Sequence, residues 1–356
     1  MNHKTTWMLL ALLAGALGIA PFVMPTYGLV LGFGLFTAAG LALAWNLVGG
    51  IAGQFALGHA LYVGVGAYTV ALATSVGGWP LPLALATAAA VNAVLAAVSA
   101  ALFLRMRAAY FSVATMGLSL ACMAWAVTSP ALGAAAGITL PGNLPVDDRG
   151  LFWAAGTLML ATLAGTAWLV RTPFGLSLMA VRDDEEAAAE CGVNPLLIKC
   201  SVMAISGALA GAFGGLVVLQ KQMVEPMSAF SMTWTISMIM MSVIGGLGSV
   251  WGPLLGALLV YGTQQLLEDL ATWNLLITAL VLIAVIRLAP GGLVSLASRA
   301  TRAWRGRRAA GAVPAGAVPA DAVPADAVPA DAAVAALPRK PNTAVSPSSS
   351  STQGTP

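Results

Sequence analysis

Apolar residues run for about 20 positions at a time along most of this chain, and short polar or glycine-rich breaks separate the runs. A hydrocarbon core of about 30 Å is crossed by a helix of about that length. The pattern therefore predicts spans at roughly 7–24, 28–48, 58–78, 81–104, 109–128, 151–170, 200–220, 230–249, 252–267 and 271–288. Lys4 ahead of an apolar run is one mark of a cleaved signal peptide. The run Trp7–Met24 is long for one, however, and further membrane follows at once, which favours a retained first helix. The expected fold is all-α, a polytopic transmembrane bundle of about ten spans.

Charge between the spans tests that count, because cytoplasmic loops carry the Lys and Arg. With the N-terminus inside, the cytoplasmic segments hold Arg105 and Arg107, the 171–199 loop, and a tail with Arg299, Arg302, Arg305, Arg307 and Arg308. The outside segments hold Asp147, Asp148 and Arg149, then Lys221 and Glu225, then Glu268 and Asp269. Both termini are thus expected in the cytoplasm. Residues 1–298 read as the transmembrane domain and 299–356 as a tail, basic at first, then rich in Ala, Pro and Ser. The tail repeats GAVPA and DAVPA over 311–330; with so few large apolar groups it is expected to be disordered.

One loop stands apart. Asp183, Asp184, Glu185, Glu186 and Glu190 crowd into eight positions. A single such charge at a bilayer centre costs about 2.5–3.5 kcal/mol, so 171–199 faces water. Asp183 or Asp184 suits a helix N-cap, Glu185–Cys191 suits a short helix, Gly192 suits its C′ position, and Asn194-Pro195 prevents continuation. Arg182, one turn before Glu186, is placed to pair with it. An acidic helix is repelled by an anionic leaflet, which favours a protein dock over a headgroup-resting loop.

Composition narrows the classes. Hydrophobic residues make up 59% of the chain and charged residues 8%, against about 25% charged in soluble domains. Three cysteines at unrelated spacings form neither a disulfide framework nor a metal site. No phosphate-binding GxxxxGK[ST] loop occurs. No paired carboxylates or His/Cys cluster share a plausible depth, so a membrane enzyme is disfavoured. A stand-alone secondary transporter would need ion-coupling groups inside its spans, and His59 is the only mid-span titratable group.

Two glycine clusters fall at membrane depth. In 49–68, Gly53, Gln54, Gly58 and His59 interrupt the helical pattern. Either Gln54 and His59 line or gate a pathway, or the glycines mark tight helix packing with both side chains as interhelical hydrogen bonders. In 245–256, Gly245, Gly246, Gly248, Gly252 and Pro253 read as a hinge at a membrane face or, on turn chemistry, as an ordinary tight turn.

Taken together, three motifs carry a resemblance. Glu186-Ala187-Ala188-x-x-x-Gly192 is similar to the EAA-x3-G loop of ABC importer permeases. With the segments 53–59, GQFALGH, and 245–253, GGLGSVWGP, the chain resembles the LivM-type permeases of branched-chain amino acid uptake over about residues 28–290. The resemblance implies an inner-membrane subunit that pairs with a LivH-type permease and two LivG/LivF-type cytoplasmic ATPases. A periplasmic binding protein would deliver the amino acid. It implies that Arg182, Asp183, Asp184, Glu185, Glu186, Ala187, Ala188, Gly192 and Asn194 form the helix that couples to the ATPases. ATP and Mg would sit on those partners, with no cofactor, metal or nucleic acid on this chain. Relatives carrying urea or short amides share the motifs, so that importer class is the alternative.

Overall fold

A computed structural model describes residues 3–103, 106, 108–141, 147–267, 280, 287 and 292–295. The chain divides into two units, Met1–Arg302 and Ala303–Pro356. All described residues belong to the first. The expected tail and the span 271–288 lie outside the described residues, apart from isolated positions.

The first unit is helical. In chain order it holds α1 (His3–Val23), α2 (Thr26–Asn46), α3 (His59–Ser75), α4 (Leu81–Phe103), α5 (Ala108–Thr128), α6 (Asp148–Leu169), α7 (Pro173–Asp183), α8 (Glu185–Glu190), α9 (Pro195–Lys221), α10 (Pro226–Ala229), α11 (Met232–Gly245) and α12 (Gly252–Leu266). Nine of the ten expected spans thus have helices at their positions. Among the described residues, seven segments are long and apolar enough to cross a membrane; α3 and α12 are shorter.

Helix ends follow local chemistry. Asp147 caps α6 through the Gly150 N–H at 3.0 Å, which starts that helix before the apolar run does. Thr172 caps α7 and Pro173 follows it, while Asn194 caps α9 with Pro195 at its start. At 27 residues α9 is the longest helix, about 40 Å from end to end. It forms the spine, with α3 and α4 packed along it and α2 and α6 against it. The α3–α9 contact is close because Gly66 lies directly on the Gly211 backbone carbonyl.

The ends of α9 define two faces. Its start adjoins α7 and α8, and the Arg171 guanidinium donates to Thr6 Oγ1 at 3.3 Å, which brings the beginning of α1 to the same face. Its end carries a two-residue antiparallel pairing, β1 (Ile138–Thr139) with β2 (Met223–Val224), which ties the α5–α6 connection to the α9–α10 connection. Exposed tryptophans collect toward both faces: Trp7 and Trp168 near the start of α9, Trp79, Trp125 and Trp153 near its end. Such belts mark the two headgroup levels.

Gly66→Leu drives a side chain into the Gly211 carbonyl and should destabilise the bundle by about 2 kcal/mol or more. Gly165→Leu meets nothing within 4 Å and should stay within about 0.5 kcal/mol of the parent. Thermal denaturation of the purified protein in detergent separates the two.

Candidate functional site

The helical pattern fails between α2 and α3. The last turn of α2 widens into a π turn, Leu47–Ile51, and the Ala52 N–H donates to Leu47 O at 3.0 Å. The chain then runs irregularly to Gly58 before α3 begins. In a bilayer core each unpaired backbone group costs several kcal/mol, so neighbouring side chains must serve this segment. They come from four helices. Trp45 Nε1 donates to Ala56 O at 2.9 Å. From α5, Ser112 Oγ donates to Phe55 O, and Thr115 Oγ1 accepts the Leu57 N–H at 3.2 Å. From α11, Thr235 Oγ1 accepts the Ala60 N–H at 2.9 Å and serves the open start of α3.

His59 completes the set through α9. Ser206 Oγ donates to Ala44 O at 2.6 Å, so its lone pair accepts from His59 Nε2–H at 2.9 Å. The imidazole is fully buried, and edge-on against Tyr62. These are the contacts of an interhelical hydrogen bonder. Gln54 is buried too, with neither amide atom hydrogen bonded. Neither residue borders the large cavity described below, and Gly58 packs on the Thr115 backbone.

The second glycine cluster closes on the first. Residues 246–251 form a tight turn between α11 and α12, with Ser249 Oγ accepting the Gly252 N–H at 2.9 Å. Gly248 has φ +74°, where other residues are strained. Asn46, at the end of α2, clamps this turn: its Oδ1 accepts the Gly248 N–H at 2.9 Å and its Nδ2 donates to Ser249 O at 3.0 Å. A Cβ on Gly50 would stand 2.5 Å from the Gly248 nitrogen, so the π turn and the glycine turn lie backbone to backbone.

The acidic loop meets both. Arg182, near the end of α7, lays its aliphatic stem across Gly53, and a Cβ on Gly248 would stand 3.8 Å from its Nη1. Sequence-distant motifs thus converge on Arg182 and Asn46, a role for Asn46 that no short motif signals. Asp184 breaks the chain into two helices and caps α8, accepting from the Glu186 and Ala187 N–H groups at 3.0 Å each. Because of that break Arg182 does not pair with Glu186 as the spacing predicts; its Nη2 reaches Asp183 Oδ1 at 2.9 Å. Gly192, φ +86°, ends α8 in the left-handed region, and Val193 N–H returns to Ala188 O at 3.1 Å. Ala188 is buried, and Lys199 Nζ bonds Glu185 Oε2 at 2.5 Å, so α8 is anchored to α9. Glu186, Ala187 and Glu190 stay exposed.

At the other end of α9 lies a cavity of about 500 Å³ between α2, α9, α10, α11 and α12. Among the described residues no cluster of His, Cys, Asp or Glu is arranged to hold a metal ion.

Comparison with known proteins accords with this geometry. The description "Branched-chain amino acid transport system / permease component" matches residues 33–288. The high-affinity branched-chain amino acid transport system permease protein LivM of Escherichia coli K12 is 28% identical over 290 residues, covering 72% of this chain and 67% of the relative. LivM of Salmonella typhimurium is 27% identical with the same coverage. The fructose import permease protein FrcC of Rhizobium meliloti is 32% identical over 140 residues, 36% of this chain and 39% of the relative. No solved structure matches the chain significantly.

Asn46→Leu removes both clamps and leaves the Gly248 N–H and Ser249 carbonyl unpaired, at about 1–3 kcal/mol per group. Ser242→Ala should cost less than about 1.5 kcal/mol, since Ser242 Oγ only supplements helix carbonyls at Ala42 and Met238. Melting temperatures of the two variants give the comparison.

Proposed function

Because the chain belongs to the branched-chain amino acid transport permease family, we propose that it passes branched-chain amino acids across the inner membrane, α7–α8 receiving the stroke of separate ATPase subunits. As a member of that family it is a multi-pass membrane component of an ABC importer rather than an enzyme, and such importers work with ATPases and a binding protein. The finer assignment is a LivH-type partner permease and LivG/LivF-type ATPases. The alignments to LivM, over 72% of this chain, favour amino acids over sugars, since the fructose permease aligns over 36%.

One observation carries the coupling role. Arg182 at the end of α7 touches Gly53 and stands beside Gly248, the helix break and the glycine turn at the membrane ends of α2, α3, α11 and α12. A displacement of α7–α8 therefore reaches four helices through direct packing. An ATPase shifts that equilibrium only by its difference in affinity for the two positions of the loop. The exposed Glu186 and Glu190 of α8 are the groups placed to make that difference.

Glu186→Arg and Gly192→Val should each lower ATP-driven leucine uptake about tenfold or more, equivalent to about 1.4 kcal/mol of lost coupling, while the protein stays at normal level in the membrane. Proteoliposome uptake measured beside ATP hydrolysis checks this. Undiminished uptake by both variants contradicts the coupling role.

A further inference from the structure

The cavity at the far end of α9 has a composition suited to one class of solute. Part of its wall is aliphatic, thioether and aromatic, with Phe33 and Leu41 of α2 and Met238 and Met241 of α11. Its volume, about 500 Å³, is in the range of small-molecule sites. Polar side chains, among them Gln220, Ser231, Ser237 and Gln264, make up much of the rest of the lining. Thr37, on the α2 side of the lining, has a buried Oγ1 with no hydrogen-bond partner. At the rim stands Lys221, the last residue of α9.

Lys221 is held in place. The next residue, Gln222, adopts a left-handed conformation with φ +56°, and its carbonyl accepts the Leu140 N–H at 2.9 Å, which fixes the end of α9. The ammonium lies 5.7 Å from the centroid of the Trp234 ring, and Trp234 is itself fixed by Nε1 donating to Ser228 O at 3.0 Å. Among the described residues no carboxylate ion-pairs with Lys221, and Glu225 on the same connection is beyond ion-pairing distance. A positioned cation at the mouth of a chamber with an apolar wall suits a carboxylate joined to an apolar side chain.

We propose that this cavity is a substrate station on the side opposite the coupling loop, taking a free α-amino acid with an aliphatic side chain. Its carboxylate sits at the Lys221 ammonium, and its side chain lies against Phe33, Leu41, Met238 and Met241. The proposal rests on the importer reading above and adds the site and its chemistry. A sugar or urea has no anionic group for Lys221 and no aliphatic arm for the walls.

The test uses the assembled importer in nanodiscs without binding protein, with leucine and leucinamide as probes in saturation-transfer NMR. Parent importer should bind leucine more tightly than leucinamide. Lys221→Gln should weaken leucine about tenfold, the effect of one charge-assisted hydrogen bond, and bring the two probes level. Ala38→Trp, which fills the chamber, should abolish binding of both. Lys221 is exposed, so its variant stands even where the tryptophan variant fails to fold. Absent leucine binding in the parent, or unchanged preference for leucine in Lys221→Gln, overturns the station. Leucine uptake by the parent with its binding protein reads the importer assignment separately. Uptake with no effect of Lys221→Gln on binding removes the station alone, and absence of uptake removes the substrate assignment on which it rests.

Discussion

A helix that breaks inside a membrane must find partners for the backbone groups it exposes, and the architecture around residues 47–58 follows from that requirement. Most of this segment is buried, so its freed N–H and carbonyl groups need protein partners. Trp45, Ser112, Thr115 and Thr235 supply them, and Ser206 joins α9 to His59 and to the α2 carbonyl of Ala44. Serving the break obliges α2, α5, α9 and α11 to converge on it, so the polar groups fix the relative placement of helices whose outer surfaces are uniformly apolar.

The same junction explains how a water-exposed loop can act on buried helices. Asn46 bonds the turn between α11 and α12, Gly50 abuts that turn, and Arg182 rests on Gly53 beside Gly248. Close-packed backbone transmits displacement with little loss, because a Cβ at Gly50 or Gly53 has no room to form. The break is a joint with defined partners rather than a loose loop. On the opposite face α9 ends at a chamber of another character, with mixed apolar and polar walls and Lys221 at its rim. The proposed coupling loop and the proposed solute station lie at opposite ends of the 27-residue α9.

Much of the bundle was legible in the sequence because long apolar runs leave few alternatives to spanning helices. Boundaries shifted where caps outweighed hydropathy. Asp147 starts α6 early, Asn194 and Pro195 carry α9 below the apolar run, and Gly246 ends α11 before residue 249. The α8 cap, left between Asp183 and Asp184, and the Gly192 terminus were readable from side-chain chemistry alone. Helix α7 escaped notice although Thr172-Pro173 announces it, and the Arg182–Glu186 pairing failed because one capping residue interrupts the helix it presumes. The Asn46 clamp spans about 200 residues of sequence, and the chamber draws its lining from five helices. Neither leaves a local pattern, since what defines them is the packing itself.

The central claim, that α8 is where an ATPase takes hold, is tested most directly by photocrosslinking in native host membranes. A photoreactive residue at exposed position 187 and another at exposed Ala161, midway along α6, would be irradiated, and the captured proteins identified by mass spectrometry. The account predicts capture of an ATPase subunit from 187 and none from 161. Capture of no ATPase from 187, in membranes where the ATPases are present and the importer is active, would contradict it.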